Sequence, residues 1–160
     1  MSLRVGIAEL RIDRAPAVLK AYGLGSCLAI ALYDPGERIG GLVHSLLPLR
    51  RSRDPLGEAT KYVDAAIRLM AEELVQAGAD PARLQAKIAG GANMFETEYL
   101  TLINSIGVRN ARSARDTLLA LAIPLVGEEV GGNRGRTVEF DLATGRLLVY
   151  CAWDDRTLIL

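Results

Sequence analysis

The chain has 160 residues, half of them hydrophobic, and its 19 lysines and arginines balance 19 aspartates and glutamates. That length and apolar content are enough to bury a core without staples, and they exclude a disordered chain. Zero net charge supplies no global field to draw in nucleic acid or an anionic membrane, so neither nucleic-acid binding nor membrane insertion is expected.

In chain order, the opening MSLRVGIAELRID lacks the continuous apolar core of a signal peptide, and no apolar run approaches the ~18 residues of a membrane span, which points to the cytoplasm. RVGIAELRI, AVLKAY, CLAIALYD and IGGLVHSLLP read as strands, separated by Pro16, Gly23, Gly25 and the DPGE turn. In EATKYVDAAIRLMAEELVQAGAD, Tyr62, Val63, Ala66, Ile67, Met70, Leu74 and Val75 recur at three and four residues, which predicts an amphipathic helix stopped by Gly78. LQAKIAGGANMF reads as a strand entering a Gly-Gly turn. A second helix is predicted from about Arg109 to Leu121, burying Ala111, Ala114, Leu118 and Leu119 and ending before Pro124. The last third alternates strands with GGNRG and LATGR turns, and RTVEFDLATGRLLVY is its clearest hairpin. Without repeats or linkers, residues 1–160 are expected to form a single α+β domain: a layered structure of mostly antiparallel or mixed strands with two amphipathic helices over them.

The chain's two cysteines are both expected to be free thiols in a reducing compartment. With one histidine and no C-x-x-C or H-x-x-x-H spacing, no metal site and no cofactor are expected. Cys27 sits behind a Gly-Leu-Gly-Ser turn, more exposed than packing requires, and His44 follows seventeen residues later in the next strand candidate. If those strands pair across DPGER with a turn centre near residue 36, thiol and imidazole meet at one end of a hairpin. A free thiol titrates near ~8.5 and needs a base to be reactive at neutral pH. An adjacent imidazole can take that proton and return one to a leaving group, help worth ~10²–10⁴-fold. Unobstructed N–H groups around Gly25 and Ser26 would hold an oxyanion, each donor contributing about 3 kcal/mol. Such parts suit acyl transfer, although on spacing alone a Cys and a His on neighbouring strands are more often core residues than a catalytic pair. Cys151 has no histidine left to partner it and is assigned to packing.

The blocks GLGSCLAIALYDP, GGLVHSLLP, KYVDAAI, KIAGGANMF, IGVRN and GGNRGRTVEF, in this order from about Val5 to Val149, resemble the CheD family of chemoreceptor glutamine deamidases. The resemblance implies that Cys27 is the nucleophile and His44 the base, attacking a glutamine carboxamide in a receptor's cytoplasmic helical bundle through a thioester. It also implies a layered fold similar to the catalytic domain of the cytotoxic necrotizing factor toxins, and a CheC-type phosphatase as a second partner. The resemblance also implies a third catalytic residue, since family members commonly carry a threonine at the position of Ala21; here that side chain is absent, and the Ala21 carbonyl is the expected substitute acceptor for the imidazole. A non-catalytic adaptor that binds receptors and the phosphatase is the rival reading. A monomer is expected.

Three further stretches keep two readings each. In AGGANMF, Gly90, Gly91, Met94 and Phe95 are candidates for a substrate groove or, alternatively, a strand end whose aromatic fills the core. GGNRGR lacks a P-loop ending and reads as a turn with Arg134 and Arg136 in structural or substrate-facing ion pairs. RRSRD, Arg50 to Asp54, is a solvated basic loop or, close to His44, a contact for a receptor face.

Overall fold

The computed structural model describes residues 1–54, 56–93, 105–155 and 157–160. Within them the strands are β1 (Ser2–Arg4), β2 (Leu10–Arg14), β3 (Val18–Leu24), β4 (Leu28–Asp34), β5 (Ile39–Ser45), β6 (Gln85–Gly90), β7 (Leu125–Val130), β8 (Arg136–Asp141), β9 (Arg146–Cys151) and β10 (Thr157–Ile159). The helices are α1 (Val63–Gln76) and α2 (Ile106–Ala120). Five strands form one sheet in the order β1-β3-β8-β9-β10 and five form a second in the order β2-β5-β4-β6-β7. Most pairs are antiparallel, with β1–β3 and β6–β7 parallel, so the α+β layered expectation holds.

The apolar run after Cys27 becomes β4, the middle strand of the second sheet, and all seven of its residues are buried. A strand covered on both faces has no polar alternation to show, and its two faces differ in size instead. Ala29, Ala31 and Tyr33 point toward the first sheet and pack with Leu19, Val138 and Phe140, while Leu28, Ile30 and Leu32 point toward the helices and pack with Ile67, Met70 and Leu118. Three layers result: sheet, sheet, helices. Glycines in β5 bring the layers close. A side chain at Gly40 would meet Leu142, and one at Gly41 would meet the sulfur of Met70 at 2.8 Å.

The DPGE turn is anchored from below. Asp34 has no solvent exposure and receives Nε and Nη2 of Arg83 at 2.8 and 3.0 Å, together with the N–H groups of Gly36 and Asp80. The guanidinium holds the Asp34 carboxyl far below the usual carboxylate range, against the opposing effect of burial.

Several elements differ from expectation for identifiable reasons. RVGIAELRI is not one strand: the chain turns at residues 6–9, where the Glu9 carboxylate accepts the Gly6 N–H, so β1 and β2 enter different sheets and Ile7 is exposed. The first helix begins at Val63, because the backbone of residues 61–63 is held by Leu46 and Leu47 and its preceding turn is tighter. Its apolar face contains the expected residues except Val75, which lies about 100° round the helix from buried Leu74 and is exposed. The second helix starts three residues earlier than expected, capped by Ser105, whose hydroxyl accepts the Val108 N–H. Leu119, one residue off the buried stripe, is exposed.

Candidate active site

Residues 25–27 carry the chain from β3 in one sheet to β4 in the other, so the glycine turn in front of Cys27 is a crossing between layers. All three of its carbonyls are held. The Gly25 and Cys27 carbonyls accept N–H groups of Ala92 and Gly91 at 2.8 and 2.9 Å, and the Ser26 carbonyl accepts the amide of Asn110 at 2.9 Å. The N–H groups of Gly25, Ser26 and Cys27 donate to no acceptor among the described residues. With its carbonyls turned into the scaffold, the turn presents donors beside the thiol, which is what an oxyanion requires.

The β4–β5 hairpin sets His44 against Ala29 and Leu28 against Ser45. The observed turn centre lies half a residue beyond the expected one, so the register would set Cys27 opposite Leu46, and Cys27 and His44 are diagonal on one face instead of nearly opposed. That face is the one toward the first sheet. Cys27 packs against the inter-sheet core, and Gly40 and Leu42, four and two residues before His44, face it as well. Ala21 on β3 is fully buried in the same core. The three positions named from sequence therefore all face the layer between the two sheets.

Burial raises the Cys27 thiol above its ordinary value, partly offset by its own N–H, and lowers the His44 imidazole below 6.5. The resting pair is a neutral thiol beside a neutral imidazole. The Val5 backbone favours the protonated ring to a lesser degree, yet without hydrogen-bond geometry, and both ring nitrogens are buried with no partner among the described residues. The Ala21 carbonyl therefore does not take the acceptor role expected for it.

Gly90 and Gly91 are also corrected. Both are buried, and the close approach they permit is by the protein's own backbone. A Cβ on Gly90 would collide with the Cys27 carbonyl oxygen and one on Gly91 would lie 2.8 Å from the Gly107 carbonyl oxygen. They brace the nucleophile turn instead of lining a groove. Met94 and Phe95 lie outside the described residues. Arg136 and Arg134 make structural ion pairs, with Glu129 at 3.5 Å and Asp154 at 3.9 Å, and Arg136 also donates to the carbonyls of Gly90 and Gly131. Among the described residues no group of three His, Cys, Asp or Glu side chains converges as a metal site would need.

Sequence reasoning missed Asn110, whose amide reaches both the Ser26 carbonyl and the Leu46 carbonyl, at 2.9 and 3.0 Å. Its signals were a polar residue inside the buried stripe of a predicted helix and its place at the end of the IGVRN block. The RRSRD loop lines a cleft of about 500 Å³ with Leu47, Tyr62 and Arg109, immediately beyond the end of β5. Arg50, Arg51, Arg53 and Arg109 border it, and none forms an ion pair among the described residues.

Residues 46–151 match the family model described as CheD chemotactic sensory transduction. A protein of Geobacter metallireducens named probable chemoreceptor glutamine deamidase CheD 2 is 49% identical over 92% of this chain and 91% of its own, a span that takes in both Cys27 and His44. Similarly named proteins of Moorella thermoacetica and Methanosarcina acetivorans are 49% and 40% identical, covering 92% and 91% of this chain and 89% of each relative. Among solved structures, the Bacillus licheniformis hypothetical protein YfiH aligns with 75% of this chain and 49% of its own at 16% identity, with a TM-score of 0.46.

Proposed function

The chain belongs to the CheD family, and from that premise we propose that it deamidates glutamine side chains of chemoreceptors, with Cys27 as nucleophile and His44 as general base and acid. The observation that carries this reading is the shared face of Cys27 and His44 at a turn whose carbonyls are tied back and whose N–H groups stand free. His44, neutral at pH 7, takes the Sγ proton as sulfur attacks the carboxamide carbon. The carbonyl oxygen becomes an oxyanion facing the N–H groups of residues 25–27. On collapse the C–N bond breaks, and nitrogen leaves as ammonia with the proton from His44. A water then gives a proton to His44 and attacks the thioester; the C–S bond breaks, the thiol is reprotonated and glutamate remains. Electrons and protons balance without a redox partner, and no cofactor takes part.

The protein is read as one domain that acts as a monomer on the cytoplasmic helical bundle of the receptor. The arginine-bordered cleft beyond β5 faces the same end of the second sheet and suits an acidic stretch of that bundle. Incubation with a receptor cytoplasmic fragment should convert glutamine to glutamate by mass spectrometry, and Cys27→Ala should abolish it. No conversion by the wild type across several receptors would overturn the deamidase. A specific observation favours a second reading: with Ala21 in place of a hydroxyl side chain, His44 has no partner among the described residues. In that reading the chain is an adaptor for receptors and a CheC-type phosphatase. It predicts binding without conversion in the same experiment.

A further inference from the structure

Asn110 is fully buried in the second turn of α2, and both hydrogens of its amide are committed to main-chain oxygens, those of Ser26 and Leu46. Its orientation is unambiguous, because turning the amide over would set Oδ1 against two carbonyl oxygens. Oδ1 itself is buried without a partner among the described residues, so this amide is only half satisfied. An apolar side chain would fill the same space without that penalty but would leave the Ser26 and Leu46 carbonyls without this donor. The two bonds must therefore do something that filling space does not.

What they join is informative. Ser26 precedes Cys27, and Leu46 lies two residues after His44. The β4–β5 ladder ends at Leu28–Ser45, so Leu46 is the residue its register would set opposite Cys27. The strands part at that point, and the Asn110 amide bridges the gap that a ladder bond would have closed. Its neighbours on the same face of α2 act alike. Gly107 packs on the carbonyls of Gly91 and Ala92, and the Ser113 hydroxyl donates to the Pro48 carbonyl at 2.6 Å. We propose that Asn110 is a positioning residue that fixes the separation of Cys27 from His44 by clamping the two chain segments that carry them. The inference rests on the deamidase reading for its kinetic effect, although not for its effect on the thiol.

The test uses Asn110→Asp, an isostere without the two donors, and Asn110→Ser, which is smaller and keeps the helix. Far-UV circular dichroism fixes a temperature at which each is folded. There, kcat on the receptor fragment should fall about 10²-fold, the usual cost of a displacement on the order of 1 Å at reacting groups, while KM stays within about twofold of wild type. Alkylation of Cys27 by iodoacetamide, followed by mass spectrometry, supplies a readout independent of turnover. In the wild type, His44→Ala should slow it; in the Asn110 variants, His44→Ala should change it no further. Folded Asn110→Ser with wild-type alkylation and kcat, or effects of Asn110 and His44 that simply multiply, would overturn the proposal. A wild type that fails to deamidate while this coupling persists would remove the deamidase reading and leave the positioning role standing.

Discussion

Gly90→Ala tests whether the backbone behind the nucleophile turn is as tightly fitted as its geometry implies. Gly90 has φ of +110°, which L side chains rarely adopt, and its missing Cβ is the space occupied by the Cys27 carbonyl oxygen. The backbone strain is worth about 1–3 kcal/mol. Relief of the collision requires the carbonyl to swing away from the Gly91 N–H that it now accepts at 2.9 Å, and a buried bond left unmade adds about 1–3 kcal/mol. The expected loss is therefore about 4 kcal/mol, a large part of the ~5–15 kcal/mol that holds a domain folded. Gly23→Ala is the control: φ is +67° with nothing within 4 Å of the added carbon, so only the left-handed backbone cost of ~1 kcal/mol applies. Urea unfolding of wild type and both variants, with equal m-values, measures the difference. A Gly90→Ala protein within about 1 kcal/mol of Gly23→Ala would refute the close fit.

The pH profile of kcat/KM should be flat at neutrality, with its acid limb below pH 6.5, because burial lowers the His44 pKa and the base must be neutral; a limb centred above 6.5 would contradict this. Since His44 is the only histidine, its ring proton resonance gives the titration directly. The same shift affects stability. Unfolded His44 binds a proton near ~6.5 and the folded protein resists it, so stability falls as pH drops below that value until the folded pKa is passed. Urea midpoints at pH 7.5 and 5.5, with His44→Phe showing a smaller difference, would record it. Ala21→Thr places a hydroxyl in the inter-sheet core, on whose side His44 pairs with Ala29. It should raise the histidine pKa and increase kcat about fivefold to tenfold, the worth of one hydrogen bond, while losing ~1–3 kcal/mol of stability to overpacking. An unchanged imidazole titration would show that the hydroxyl does not reach the ring.

Cys27 and His44 were legible as neighbours because hairpin arithmetic needs only a turn and two apolar runs, but the exact register was not: a centre half a residue further on makes a nearly opposed pair into a diagonal one and decides that both share a face. The reversal at residues 6–9 was hidden because Val5, Ile7, Leu10 and Ile12 sustain an apolar rhythm through a turn made by a glutamate side chain. Val75 and Leu119 were misplaced for a different reason: an apolar residue adjacent to a buried stripe looks like its edge, and only the neighbouring layer decides where that edge falls. The partners of Asn110 were beyond reach even though IGVRN ends on it, since they lie 84 and 64 residues away in the chain and nothing local marks them. The groove role of Gly90 and Gly91 failed because a glycine pair signals close approach without saying what approaches.

The unequal faces of β4 bear on how the chain tolerates changes in length. One residue added to or removed from the Gly25–Cys27 crossing would turn the strand over, presenting Leu28, Ile30 and Leu32 to a space shaped for alanines and leaving Ala29 and Ala31 beneath the helices. No local rearrangement absorbs that exchange of volumes, so the turn bearing the nucleophile has an invariable length. The arginine loop at residues 50–54 joins no such register and can grow or shrink freely. Diversity in loop length, whether natural or introduced in a library, belongs there, where it alters what the protein grips without disturbing the thiol.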